Sequence, residues 1–253
     1  MLTSWGGKDP DGKYGAVVVP HAGWRFSARQ AFSVLRSLGP RVETVVVCGG
    51  HLRPRDPICY YPEEAFETPA GPIPADPGVA DVARDLGAVA RADPDNTVEV
   101  QLPMLRYLFP HAKATALRVP PGQPAIDLGK ALGEYGDGSL VVVASTDLTH
   151  YGPNYGFTPH GVGEAALRWA REVNDAGLIA RLEQNDAAGL VSYALKNSAA
   201  CSPGAVAAAV EFARLTGLSG PEIVEYRTSN DVLPGDSFVG YLAAAYSRPD
   251  DAA

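Results

Sequence analysis

The chain is short of cysteine and of basic residues and has no long apolar run, and each shortage closes off a class of protein. Its three cysteines, Cys48, Cys59 and Cys201, are odd in number and form no CxxC pair, so neither a disulfide framework nor a zinc ribbon is indicated. With 21 basic against 29 acidic residues the formal charge is -8. That balance disfavours nucleic acid or an anionic membrane as a partner through a general basic surface, with Arg53 and Arg55 as a local exception. No apolar run approaches the ~20 residues of a membrane-spanning helix. The polar, glycine-rich stretch from Met1 to Tyr14 lacks the apolar core of a signal peptide, so the expectation is a cytoplasmic protein. Low-complexity linkers and internal repeats are also missing. The 253 residues therefore read as one domain, 1–253, with 1–14 as a poorly ordered amino-terminal segment.

Histidine is scarce too, with five copies, yet three of them follow short apolar runs. Val17-Val18-Val19-Pro20 precedes His21, Val45-Val46-Val47-Cys48 precedes His51, and Val141-Val142-Val143-Ala144 precedes Asp147 and His150. Valine-rich runs of this length, separated by helical stretches, read as buried parallel strands. Open α/β sheets bind ligands beyond the carboxyl ends of such strands. Three imidazoles at three strand exits point to one shared site, and imidazole is the commonest protein metal ligand.

The remaining pattern alternates strand and helix. A strand over 16–20 leads to a helix starting after Ser27, where Ser27 and Gln30 have capping-box spacing, and Gly39-Pro40 ends it. A strand over 43–48 exits into Gly49-Gly50-His51. Residues 57–76 read as a hairpin or loop beside the sheet, and Asp76-Pro77 as the cap and first-turn proline of a helix to about Leu86. Asn96 and Glu99 have the spacing of a cap and its third residue before Leu102, Leu105 and Leu108. Strands over 114–119 and 140–144 bracket a helix over 125–135. Helical pattern runs from Val162 to about Leu215 with breaks near Asn185 and between Asn197 and Pro203, and strands over 222–228 and 238–246 close the chain. The fold class is α/β, a single domain with a mostly parallel central sheet flanked by helices.

Each candidate site residue also has an ordinary structural reading. His21 lies in Pro20-His21-Ala22-Gly23, where the proline and glycine suit a tight turn with or without chemistry. His51 follows two glycines that allow close backbone approach to a ligand, or simply a strand-to-loop turn. Asp147 and His150 are three residues apart; on a helical turn they would share a face, and the carboxylate could orient the imidazole for proton transfer. Asp147 could equally close an Asx-turn. Cys201 stands just before a helix near Pro203, whose amino terminus lowers a thiol pKa, although a buried cysteine is by default a small hydrophobe. Cys48, within a strand, fits that default. His111 and His160 follow prolines in loops and read as surface residues.

Taken in order, Pro20-His21-Ala22-Gly23, Gly49-Gly50-His51, Glu99 with Leu102-Pro103, Ser145-Thr146-Asp147-Leu148-Thr149-His150-Tyr151-Gly152 and Cys201 resemble the Memo family over about residues 16–246. The resemblance implies a fold related to the class III extradiol ring-cleaving dioxygenases, with a metal site above the sheet. It puts the metal ligands on His21, His51 and Cys201, and further pocket residues on Asp147 and His150. Bacterial and archaeal members are known as protein B of the AmmeMemoRadiSam system, which implies radical-SAM and AMMECR-like partners.

The chain departs from that family at three places. Asp95-Asn96-Thr97-Val98-Glu99-Val100-Gln101-Leu102-Pro103 stands where the family has Glu-His-Ser-x-Glu-x-His-Leu-Pro, so Asn96 and Gln101 replace two pocket histidines. Ser202-Pro203-Gly204-Ala205 replaces a Gly-Arg-x-Pro segment and removes an arginine. The family's opening aromatic-proline motif is not recognisable.

Two imidazoles and a thiolate leave open coordination positions, and their softness suits Fe(II), copper or zinc. The leading expectation is a non-haem Fe(II)-dependent oxidoreductase or dioxygenase acting on a small molecule. His150, oriented by Asp147, would be the catalytic acid or base, while Glu99, Asn96 and Gln101 would surround the metal or pocket. The alternatives are a non-catalytic copper- or iron-binding or interaction protein and, behind it, a zinc hydrolase.

Overall fold

In the computed structural model, which describes residues 2–5, 12–39 and 41–249, the valine-rich runs form the middle of a sheet covered on both faces. The chain begins with a 3-10 turn, Leu2–Trp5, whose Trp5 ring meets Trp24 and Phe32. Residues 1 and 6–11 of the segment expected to be poorly ordered lie outside the described residues. Strand β1 (Tyr14–Val19) leads to helix α1 (Trp24–Leu35). The helix starts a turn earlier than the Ser27–Gln30 spacing suggests. Gly23 is its N-cap with an ordinary φ of -51°, and Ser27 Oγ, already inside the helix, donates back to the Ala22 carbonyl at 2.9 Å.

After β2 (Thr44–Gly49) come β3 (Cys59–Tyr60) and the hairpin of β4 (Ala65–Phe66) with β5 (Ile73–Pro74). Helix α2 (Pro77–Asp85) opens as its sequence indicates, the Asp76 carboxylate accepting from Gly78 N at 3.0 Å. β6 (Val89–Ala90) then precedes α3 (Asn96–Glu99). Here the cap is Asp95, accepting from Thr97 N at 3.0 Å, one residue before Asn96. There follow α4 (Leu102–Leu108), β7 (Lys113–Arg118), α5 (Gln123–Tyr135), β8 (Leu140–Ser145) and β9 (His150–Tyr151). The helical region comprises α6 (Glu164–Trp169), a π-helical stretch Ala170–Asp175, α7 (Ala176–Glu183), α8 (Ala187–Asn197) and α9 (Pro203–Leu215). β10 (Ser219–Thr228) and β11 (Phe238–Ser247) end the sheet.

Strand order is β10-β11-β1-β8-β2-β7-β3-β6, with β9 added to β11. β1, β8, β2 and β7 are mutually parallel, whereas β11 and β3 join them antiparallel on either side. The α/β architecture with helices flanking a centrally parallel sheet is thus observed, and its margins make it mixed. Side chains alternate between two cores. Val18, Val46 and Val142 pack toward α5, α8 and α9, while Val17, Val47 and Val143 pack toward α1 and α4. Because both faces are filled, the carboxyl ends of β1, β2 and β8 are left as the place where polar side chains gather. No helix among the described residues is long and apolar enough to cross a membrane.

Candidate metal centre

The register of β1 on β8, with Val19 opposite Ser145, brings His21 beside Asp147. His21 N donates to Asp147 Oδ1 at 2.8 Å. The preceding residue is held as well, since Gln101 Nε2 donates to the Pro20 carbonyl at 2.9 Å and to Ser145 Oγ at 3.1 Å. Ser145 Oγ lies 3.3 Å from His21 Nδ1. An Nδ1–H donated to that oxygen leaves the Nε2 lone pair free, the tautomer a metal ligand needs. Asn96 makes a long 3.5 Å contact from its amide to the His21 carbonyl. Glu99 is exposed on α3 and is not among the hydrogen-bond partners of His21, His51 or Cys201, so its expected place around the metal is not supported.

Cys201 is locked to the same loop. Its N–H donates to the Asp147 carbonyl at 3.1 Å, and its Sγ accepts from Asp147 N at 3.3 Å. The sulfur sits 3.2 Å from His21 Nε2. His51 completes the group from the exit of β2, its ring edge-on to His21 with centroids 5.4 Å apart. The ligand atoms of His21, His51 and Cys201 all lie within 4.8 Å of one another, close enough to share one ion.

The glycines before His51 serve a purpose the sequence does not reveal. A Cβ on Gly49 would lie 2.3 Å from Thr97 Oγ1, and one on Gly50, at φ +99°, would lie 2.6 Å from Arg118 Cβ. They make room for protein atoms, and Thr97 Oγ1 accepts from Gly50 N at 2.7 Å. Close approach to a ligand is not what they provide.

Asp147 and His150 do not form the expected pair. The chain after Ser145 is not helical, so the two side chains are not brought onto one helical face. The Asp147 carboxylate serves the backbone N–H groups of His21 and Ala22, while His150 Nδ1 donates to the Leu148 carbonyl at 3.1 Å. A carbonyl only accepts, so that bond leaves His150 Nε2 as a proton acceptor. The 147–150 stretch is anchored from behind. Asp175, at the end of the π-helical stretch, accepts from Thr149 N at 3.1 Å and Thr149 Oγ1 at 2.5 Å, and from Tyr226 Oη at 2.7 Å. His51, His150 and Cys201 open onto a cleft of about 670 Å³. His111 and His160 are exposed elsewhere, as expected.

Burial dominates the electrostatics. His21 is pushed down to about 3 by burial and then by the neighbouring His51 and His150, so its 3.9 Å approach to Asp147 Oδ2 is not an ion pair. His150 is lowered, burial first. Asp147 is raised to about 7 by burial, against the pull of its two N–H donors. The Cys201 thiol, on a partly exposed residue, is pushed up to about 12 by burial and then by Asp147. The lowering expected from the α9 amino terminus is therefore outweighed. The donor set is two imidazoles, that of His21 held neutral by burial, and a thiol that ionises when a cation binds, a combination that fits a soft divalent or monovalent metal. Ser145, Thr97, Asp95 and Asp175 escape a reading of strand exits, because their roles arise from strand pairing and packing. The aspartate directly before Asn96 was the one local cue.

The structure aligns with the crystal structure of an uncharacterized protein from Escherichia coli K12 at a TM-score of 0.54, covering 90% of this chain and 98% of that one at 16% identity; this speaks to the fold. A MEMO1 family protein of Thermococcus onnurineus is 32% identical over 256 aligned positions, 93% of this chain and 88% of the relative. Another, from Methanopyrus kandleri, is 32% identical over 92% of this chain and 83% of its own length. The family model described as Memo-like protein matches residues 2–245, a span that includes all three donors, and the chain belongs to the Memo-like family.

Proposed function

We propose that the chain is a non-haem Fe(II) oxidoreductase of the dioxygenase type, acting on a small molecule bound in the cleft. The observation that carries this reading is the convergence of His21, His51 and Cys201 donor atoms within 4.8 Å at the edge of an open cleft. Two histidines and one anionic ligand with vacant positions are the donor pattern of non-haem Fe(II) oxygenases; a thiolate here takes the carboxylate's place. When bound, a ferrous ion supplies redox chemistry with dioxygen.

The chain's own residues divide the remaining work. His21 and Cys201 would hold the ion from the buried side, and His51 would hold it from the solvent side. His150, kept neutral by burial and with Nε2 free to accept, takes a proton from the substrate. Asp147 positions the His21 loop. To test this, protein isolated without oxygen is analysed for metal and then screened for oxygen consumption with small redox substrates. Iron at near one per chain and consumption above a His21→Ala control support the reading; consumption equal to that control across the screen overturns it. Tight metal binding without turnover would favour a copper- or iron-binding protein, which the half-exposed His51 also suits.

A further inference from the structure

Among the described residues, the cleft beside the metal centre is lined without a single lysine, arginine, aspartate or glutamate. Away from the histidines its wall is Leu148, Phe157, Ala194 and Leu195, with Ser198 and Tyr155 as the uncharged polar groups. Two of these large side chains stand at its open side, Tyr155 at 46% and Leu195 at 49% exposure. The charged group closest to a histidine of the cleft is acidic: Asp95 Oδ1 lies 3.8 Å from His51 Nδ1.

We propose that this cleft selects an uncharged small molecule with an apolar body of ring size, and that Leu195 is a residue that sets the charge preference. The polar end of the ligand meets His51 and His150, and its body lies on Tyr155, Phe157 and Leu195. The physical reason is desolvation. A carboxylate carried at the far end of the ligand would leave water for a wall that offers no cation, an uncompensated cost. A far-end ammonium meets the same apolar wall. At about 670 Å³ the cleft lies in the ~300–1,000 Å³ range of small-molecule sites. The inference rests on the proposed function in one respect, that this cleft is the substrate site of the metal centre.

The test uses three probes sharing one phenol ring: 4-methylphenol, 4-hydroxybenzoate and tyramine, which are neutral, anionic and cationic at pH 7. Their binding is measured by titration calorimetry to the full chain, both metal-free and loaded with redox-silent zinc. Methylphenol is expected to bind at least about tenfold more tightly than either charged probe. Leu195→Arg, on a half-exposed helix position, is expected to shift the benzoate-to-methylphenol ratio by about tenfold or more toward benzoate. Leu195→Lys serves if the arginine variant fails to show a wild-type thermal melt. Equal or tighter binding of a charged probe by the wild type, binding of none of the three, or an unchanged ratio in the variant overturns the proposal. Zinc uptake by wild type and His21→Ala is measured on the same preparations. Failure there counts against the metal centre, while the ratio in metal-free protein still decides the charge preference.

Discussion

His21 and His51 offer the same imidazole to the same centre from opposite settings. His21 is 2% exposed, its backbone N–H is taken by Asp147, the carbonyl before it by Gln101, and its Nδ1 lies beside Ser145. His51 leaves 48% of its side chain in solvent, with Asp95 3.8 Å away. The buried half is fixed by strand pairing before any ion arrives; the open half can move to meet one. Preorganisation on one side and access on the other is how a site can be both selective in geometry and able to exchange its contents.

Removing the carboxylate that ties the buried half together should have the largest effect. In Asp147→Ala the N–H groups of His21 and Ala22 lose their acceptor, which costs roughly 1–3 kcal/mol for a buried unsatisfied donor. Metal affinity should fall about 10–100-fold, as for residues that orient ligands. Calorimetric melting and a metal titration check both numbers. A variant that melts lower but binds metal as the wild type does would show that the loop adds stability without orienting His21.

A smaller effect lies one step further back, at Asp175. Burial raises this carboxyl to about 6 from its ordinary 3.8. The groups facing it are uncharged, the hydroxyls of Thr149 and Tyr226. A carboxyl raised in the folded state contributes stability that is fully present below about pH 4 and is lost as pH rises through about 6. Asp175→Asn keeps the shape and removes the proton, so the stability of metal-free wild type relative to the variant should fall across that window. A flat difference curve between pH 4 and 6 would mean that Asp175 does not hold its proton as burial implies.

The buried half is also the part the sequence described least well. The three valine-rich runs, the placement of His21 and His51 after two of them, and the helix opened by Asp76-Pro77 follow from periodicity and capping, which are local. Cys201 became a candidate ligand through family resemblance, since a cysteine before a helix has no period to betray it. The pairing of Asp147 with the His21 backbone depends on β1 lying against β8, a contact 126 residues apart in the chain. Spacing suggested a helical turn from Asp147 to His150, but the chain there is not helical and the two side chains meet different partners. Glu99, the last residue of α3, is exposed to solvent, a placement that its spacing from Asn96 does not reveal. Local rules found the strand exits; what connects one exit to another was beyond them.

The smallest expected change in stability is that of His51→Ala, and it is the sharpest check on the difference between the two histidines. Truncating a half-exposed side chain removes little packing, and surface substitutions of this kind stay within about 0.5 kcal/mol. The metal-free variant should therefore melt close to wild type. His21→Ala, which opens space among Ser145, Cys201 and Asp147, should melt clearly lower, because a buried cavity adds to the lost contacts. Metal binding should weaken in both, since each loses one of three donors. The two variants are thus alike in metal affinity and unlike in metal-free melting. If instead His51→Ala melts as low as His21→Ala, the exposed imidazole is tied into the fold as firmly as the buried one, and the two halves of the centre do not differ in preorganisation.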